Sequence, residues 1–68
     1  MTVEVNGELR ELRGGASLAE ALGGIGVAPD QSGVAAAVDG EVVRREEWRS
    51  LELHEGQSIE VVKAVQGG

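Results

Sequence analysis

The residues of this sequence that are best placed for chemistry lie at its end. Gln66, Gly67 and Gly68 close a chain of 68 residues. A terminal carboxylate becomes an electrophile once it is activated, and glycine, which has no Cβ, reaches backbone conformations closed to other residues. From Ala64 onward, an extended tail could reach about 17 Å, at roughly 3.3–3.6 Å per residue. Such a tail is thin enough to enter a narrow site in a partner.

Other candidate sites lack the residues that a catalytic or metal centre needs. His54 is the only histidine, and no nucleophile and base accompany it, so we expect a solvated loop residue. The chain has no cysteine, which excludes disulfides, thiolate ligands and a cysteine nucleophile. Glu20, Glu46 and Glu47 are more typical of a solvated face than of a metal site. We therefore expect a protein that is not an enzyme and binds no cofactor or metal.

The charge and composition of the chain argue against nucleic acid and membrane as partners. Twelve acidic and six basic residues give a net charge of −6, which argues against nucleic acid. An acidic surface suits a partner with a basic face, although solubility also explains it. No apolar run approaches the roughly 20 residues of a membrane helix, and residues 2–4 do not resemble a signal peptide. We expect a cytoplasmic protein.

The first segments predict a β-hairpin. Residues 2–5 alternate polar and apolar side chains, as a half-buried strand does. The Asn6-Gly7 pair that follows is a strong turn signal because both residues tolerate positive φ. Residues 8–13 would form the returning strand. Leu9 and Leu12 differ in parity, so this strand is expected to contain a bulge or a twist.

A short helix is predicted next. Ser17 and Glu20 have the spacing of a capping box, and the apolar residues after Ser17 recur at helical spacing. The Gly23-Gly24 pair is expected to stop the helix, because glycine accepts the left-handed cap conformation. Residues 27–33 then form a loop that contains the only proline.

The second half predicts further short strands. These are residues 34–38 and 41–43 around an Asp39-Gly40 turn, a brief strand at 51–53, and a longer one at 58–65. The charged residues 44–49 suit a single helical turn, with Trp48 covering one end of the core. The order predicts an α+β fold, a mixed sheet of four to five strands with one main helix packed across it. Residues 1–65 would form the domain and residues 66–68 a flexible tail.

The last predicted strand has apolar residues at both parities. We expect Ile59 and Val61 to face the core, whereas Val62 and Ala64 would face outward and contact partners. The alternative is a strand buried on both sides, as a central strand often is.

This combination of hairpin, capped helix, short strands and terminal Gly-Gly resembles the β-grasp fold of ubiquitin-like proteins. Residues 37–48 (AVDGEVVRREEW) are similar to a segment of the sulfur carriers of thiamine biosynthesis, the ThiS family. Residues 55–60 and 64–68 also resemble the C-terminal half of that family. The likeness covers essentially the whole chain. One departure is Gln57, where the family usually has aspartate.

The resemblance implies a carrier whose chemistry is supplied by partner enzymes. An adenylating, E1-like enzyme would use ATP to activate the carboxylate of Gly68. A sulfur-donating enzyme would then convert the acyl-adenylate to a thiocarboxylate, and thiazole synthase would take up the sulfur. Gly67 and Gln66 would thread the partner site, and Val62 and Ala64 would belong to the docking face.

Other functions stay open on the sequence alone. A sulfur carrier of another pathway, such as molybdopterin, cysteine or natural-product synthesis, would share the same Gly-Gly end. A plain ubiquitin-like binding module would act through its folded surface and would not need the tail. A protein-conjugating modifier would instead form isopeptide bonds with lysine residues of other proteins.

Overall fold

The computed structural model describes residues 1–64 and contains one mixed sheet and one α-helix. The elements in chain order are β1 (Thr2–Val5), β2 (Glu8–Glu11), α1 (Leu18–Gly23), β3 (Val34–Val38), β4 (Glu41–Val43), a 3₁₀ helix (Arg45–Glu47) and β5 (Ser58–Lys63). The described strands form a five-stranded sheet in the order β2-β1-β5-β3-β4. β1 and β5 are parallel, and the other neighbours are antiparallel. The predicted mixed sheet with one helix is confirmed.

Both predicted hairpin turns are present. Asn6 and Gly7 have φ values of 50° and 85°, and Asp39 and Gly40 have the same pair of values. Two consecutive residues with positive φ define a type I′ turn, whose twist matches that of the flanking strands. The local chemistry of Asn-Gly and Asp-Gly therefore sets the connections β1–β2 and β3–β4.

The bulge, one of the two irregularities expected in β2, is absent from the described strand. β1 and β2 pair without interruption from Thr2 opposite Glu11 to Val5 opposite Glu8. Leu9 points away from the core and is 75% exposed. Leu12 lies beyond the strand and packs against the core. The parity argument failed because it assumed that both leucines are buried.

The start of α1 agrees with half of the predicted capping box. The Ser17 hydroxyl accepts a hydrogen bond of 3.2 Å from the backbone N–H of Glu20. The Glu20 carboxylate, however, pairs with Arg13 instead of returning to the cap. The hydrogen bond between Arg13 and Glu20 and the negative charge of Glu20 raise the pKa of the Arg13 guanidinium above its ordinary value.

The end of α1 differs from the prediction. Gly24 caps the helix with a right-handed φ of −65°, so the Gly23-Gly24 pair does not supply a left-handed stop. The left-handed glycine is Gly26, at φ 87°. The N–H of Gly26 donates to the Gly23 carbonyl and that of Val27 to the Leu22 carbonyl, at 3.1 and 3.0 Å. This is the hydrogen-bond pattern of a Schellman motif, and it turns the chain through buried Val27.

The brief strand predicted at residues 51–53 is a single bridge between Glu52 and Ser17, outside the main sheet. The N–H of Leu18 donates to the Leu51 carbonyl, and that of Leu53 to the Ala16 carbonyl, each at 2.9 Å. The segment therefore anchors the start of α1.

The 3₁₀ helix lies within the predicted residues 44–49. Val65, the predicted end of the last strand, lies outside the described residues.

The core lies between α1 and one face of the sheet. α1 contributes three buried residues, Leu18, Ala21 and Leu22. The strands and loops complete the cluster with Val3, Val5, Val27, Ala36, Val38, Trp48, Leu53 and Ile59. Trp48 is buried, as predicted, and its Nε1–H donates to the Val43 carbonyl at 3.1 Å. The opposite face of the sheet is not covered by any described element.

Candidate functional site

β5 carries the C-terminal residues and occupies the centre of the sheet. It lies between β1 and β3, and it pairs with β3 from Ile59 opposite Val38 to Lys63 opposite Val34. Beyond the strand, the N–H of Ala64 donates to the Gly33 carbonyl at 2.6 Å. Four residues follow Ala64 in the sequence. Val65 and the predicted tail residues Gln66, Gly67 and Gly68 lie outside the described residues.

The Asn6 side chain extends the pairing of β5 beyond the end of β1. β1 ends at Val5, and the Asn6 N–H donates to the Ile59 carbonyl at 2.9 Å. The Asn6 amide then bonds both backbone groups of Val61. Its Oδ1 accepts from the N–H at 2.8 Å, and its Nδ2 donates to the carbonyl at 3.2 Å. The primary amide thus replaces a missing strand residue, a role that its turn position alone did not predict.

The start of β5 is held by a second turn residue. The Asp39 carboxylate accepts from the Ser58 N–H at 2.9 Å and from the Gln57 side-chain amide at 3.3 Å. The Asp39 N–H donates to the Ser58 carbonyl at 2.7 Å. Both hairpin turns therefore hold β5 through side-chain as well as backbone contacts, so the strand that precedes the predicted tail has a defined position in the sheet.

The two parities of β5 face opposite sides of the sheet. Ile59 is fully buried, and Val61 is half-buried against the core. Val62 is 64% exposed, and Ala64 is also exposed. The structure therefore places Val62 and Ala64 outward, as expected from the sequence, and the idea that they contact partners stays a prediction.

Val62 belongs to an apolar group on the outer face of the sheet. The register places it beside Ala35, and places Ala37 beside Val42, which is 79% exposed. These four residues line a shallow depression of about 280 Å³ together with Glu60. We call Ala35, Ala37, Val42 and Val62 the outer patch. Sequence reasoning missed three of them, although strict alternation along 34–38 and 41–43 would have assigned them to this face.

Acidic side chains share the outer face of the sheet with the outer patch. In the strand register, Glu60 lies beside Ala37, and the outward positions of β1 and β2 include Glu4 and Glu11. All three are exposed. The outward positions of the described strands carry no lysine or arginine. The outer face therefore combines an apolar centre with negative charge, which complements a partner that has an apolar centre and a basic rim.

The remaining candidate residues lie apart from one another. His54 is exposed in the loop after Leu53. Within residues 1–64, no group of three or more His, Cys, Asp or Glu side chains is arranged to hold a metal ion. In the same part of the chain, no helix is both long enough and apolar enough to pass through a membrane.

Comparison with known proteins decides the family. The model of the ThiS family matches residues 3–68, which is nearly the whole sequence. The chain belongs to the ThiS family. No curated protein matches it significantly.

Solved structures agree with this assignment to ThiS. The crystal structure of thiamine biosynthesis protein ThiS from Geobacter metallireducens is 26% identical, with a TM-score of 0.79 and full coverage of both chains. An NMR solution structure of a thiamine biosynthesis protein from the same organism is 27% identical, with a TM-score of 0.77. It is matched by the whole of this chain and over 88% of its own length. The ubiquitin-like β-grasp fold expected from the sequence is thus confirmed.

Proposed function

We propose that this protein is the sulfur carrier of thiamine biosynthesis and delivers sulfur for the thiazole ring. The observation that carries the proposal is the ThiS family match, which extends over residues 3–68 and so includes the Gly-Gly end. The fixed position of β5 supports it, because a firmly held strand gives the following residues a defined starting point. The two structural neighbours are named as thiamine biosynthesis proteins.

The proposed chemistry takes place at the carboxylate of Gly68. One carboxylate oxygen attacks the α-phosphorus of ATP, and pyrophosphate leaves. The resulting acyl-adenylate is a better electrophile because AMP is a good leaving group. Sulfide supplied by a donor then adds to the carbonyl carbon, AMP departs with the bond to that carbon, and a thiocarboxylate remains. ATP is consumed by the adenylating enzyme, and the carrier itself binds no cofactor.

The carrier contributes access and docking in this scheme. Gly67 and Gln66 would pass through the entrance of the partner site, where a missing or slender side chain reduces steric conflict. Val62 and Ala64 would contact the partner near that entrance, since they lie on the outer face within six residues of Gly68. The acidic side chains on the outer face would favour a basic partner surface.

Two other functions would use parts of the same molecule. A carrier for a different sulfur pathway shares the chemistry and differs only in the enzyme that accepts the sulfur. A plain binding module would use the exposed outer patch and would not require Gly68. Incubation of the sulfur-loaded protein with different recipient enzymes shows which sulfur pathway it serves. Partner binding that persists without Gly67 and Gly68 would identify a plain binding module.

Intact mass spectrometry tests the proposed function. After incubation with ATP, a cognate adenylating enzyme and a sulfide source, the mass should rise by about 16 Da, because sulfur replaces oxygen at one carboxylate. Fragmentation should place the whole increase on Gly68. The matched control is the same incubation without ATP, which should leave the mass unchanged. An increase on an internal residue would contradict the proposal.

A further inference from the structure

Arg45 has an unusual set of partners for a surface arginine. Its Nη1–H donates to the Pro29 carbonyl at 2.9 Å, and its Nη2–H donates to the Val34 carbonyl at 3.2 Å. The guanidinium carbon lies 4.4 Å from the centre of the Trp48 ring, within the range of a cation–π contact. Among residues 1–64, the ion pairs are Arg10–Glu8 and Arg13–Glu20, so Arg45 belongs to neither.

These contacts restrain the second half of one loop. Pro29 lies in the middle of the connection from α1 to β3, and Val34 is the first residue of β3. Trp48 is buried, so the ring against which the guanidinium lies is itself fixed by the core. A planar guanidinium that donates two hydrogen bonds and stacks on a ring has a single preferred orientation. Arg45 therefore fixes the loop relative to the core.

The same loop forms the last described contact of the C-terminal strand. Gly33 lies between the two restrained residues and has a φ of 74°. Its carbonyl accepts the Ala64 N–H at 2.6 Å, and a Cβ at Gly33 would lie 3.6 Å from the Ala64 Cβ. The adjacent pair is Val34 opposite Lys63. The position of the loop thus determines where the backbone leaves the sheet.

We propose that Arg45 is a positioning residue for the terminal carboxylate and acts by holding the loop that anchors Ala64. This role rests on the proposed function. If the Gly33–Ala64 contact opens, the segment between the last restrained residue and the terminal carboxylate grows by one residue, or roughly 3.3–3.6 Å. A longer end visits more conformations, so fewer of them present the carboxylate correctly to the adenylating enzyme. Docking through the outer patch is unaffected, because Arg45 does not belong to it.

The test compares Arg45→Gln with Arg44→Gln. Both changes remove one positive charge from neighbouring positions, but Arg44 is exposed and its side chain makes no capping hydrogen bond. In ATP–pyrophosphate exchange with the adenylating enzyme, Arg45→Gln should lower kcat about tenfold and leave KM for the carrier within about twofold. Arg44→Gln should match wild type. Arg45→Lys, which keeps the charge without the planar fork, should recover only part of kcat.

Amide hydrogen exchange separates positioning from general stability. In Arg45→Gln, the Ala64 amide should exchange about tenfold faster, whereas the Val61 amide, bonded to Asn6, should keep its protection. Equal loss of protection at both amides would overturn the proposal, and so would an unchanged kcat. If Arg45→Gln does not fold, Arg45→Lys provides the same comparison. Wild-type protein that is never adenylated would refute the proposed function. Amide hydrogen exchange would still test whether Arg45 holds the Gly33–Ala64 contact.

Discussion

At the residue scale, two turn residues make side-chain hydrogen bonds with a strand outside their own turns. Asn6 and Asp39 both adopt positive φ, and both use their side chains to bond the backbone of β5. Their turn positions were predictable from the Asn-Gly and Asp-Gly pairs, because the conformational preference is local. Their contacts with β5 were not predictable, because they join residues that are far apart in the sequence. More than 50 residues separate Asn6 from Val61, and 18 residues separate Asp39 from Ser58.

Replacement of Asn6 by glycine isolates the side-chain contacts, since glycine tolerates the same φ. The two hydrogen bonds with Val61 are lost, and we expect unfolding to become easier by about 1–2 kcal/mol. Asn6→Asp, which keeps an acceptor for the Val61 N–H, should lose less. Chemical denaturation measures both variants. An Asn6→Gly variant as stable as wild type would show that water replaces the side chain without cost.

At the element scale, α1 contributes side chains to the core, whereas β5 contributes side chains to both the core and the exposed outer face. α1 places its apolar residues against the inner face of the sheet, and the Schellman turn closes it at Gly26. The helical spacing predicted the buried face correctly. The position of the left-handed glycine was not predictable, because residues 23–26 offer three glycines and the choice depends on where Val27 reaches the core.

Leu22→Ala should destabilise the protein by about 2–4 kcal/mol, because truncation of a buried aliphatic side chain leaves a cavity. Leu22 is 1% exposed. Leu9→Ala is the matched control, since the same atoms are removed from a residue that is 75% exposed, and its melting temperature should hardly change. Thermal melts followed by circular dichroism compare the two. Equal melting temperatures for both variants would contradict the assignment of the helix face.

Val62→Asp tests the outer patch as a docking face. Val62 is exposed, so the variant should fold, but it should bind the adenylating enzyme at least about tenfold more weakly because an unpaired charge would be buried. Leu9→Asp adds the same charge to the same face, outside the patch, and should bind nearly as wild type does. Titration calorimetry gives the affinities. If both variants bind like wild type, this patch is not the docking face.

At the scale of the whole molecule, the architecture was predictable in outline but not in detail. The order of the elements followed from local signals along the chain, but their number did not, because the strand expected at residues 51–53 is a single bridge. The sheet order β2-β1-β5-β3-β4 did not, because the parallel pairing of β1 with β5 joins the two ends of the domain. The exposed position of Leu9 and the bridge at Glu52 also depend on that assembled arrangement.

Only part of the candidate site can be compared with the sequence prediction. Gly67 and Gly68 lie outside the described residues and stay a prediction from residue type and position, whereas the outward parity of Val62 follows from simple alternation and agrees with its exposure. The partners of Val62 on the outer patch required the register between three strands. The anchor formed by Arg45, Gly33 and Ala64 required the loop geometry, which no local pattern specifies.

The central claim is that the carboxylate of Gly68 is the activated group, and removal of Gly67–Gly68 tests it most directly. The shortened chain should keep the melting curve of the full chain, because the described core contacts lie within residues 1–64. Its new carboxylate, on Gln66, would lie about 7 Å short of the reacting position. ATP–pyrophosphate exchange with the adenylating enzyme should therefore be lost, and one residue added after Gly68 should abolish it too. Normal exchange by the folded, shortened chain would contradict the sulfur-carrier account.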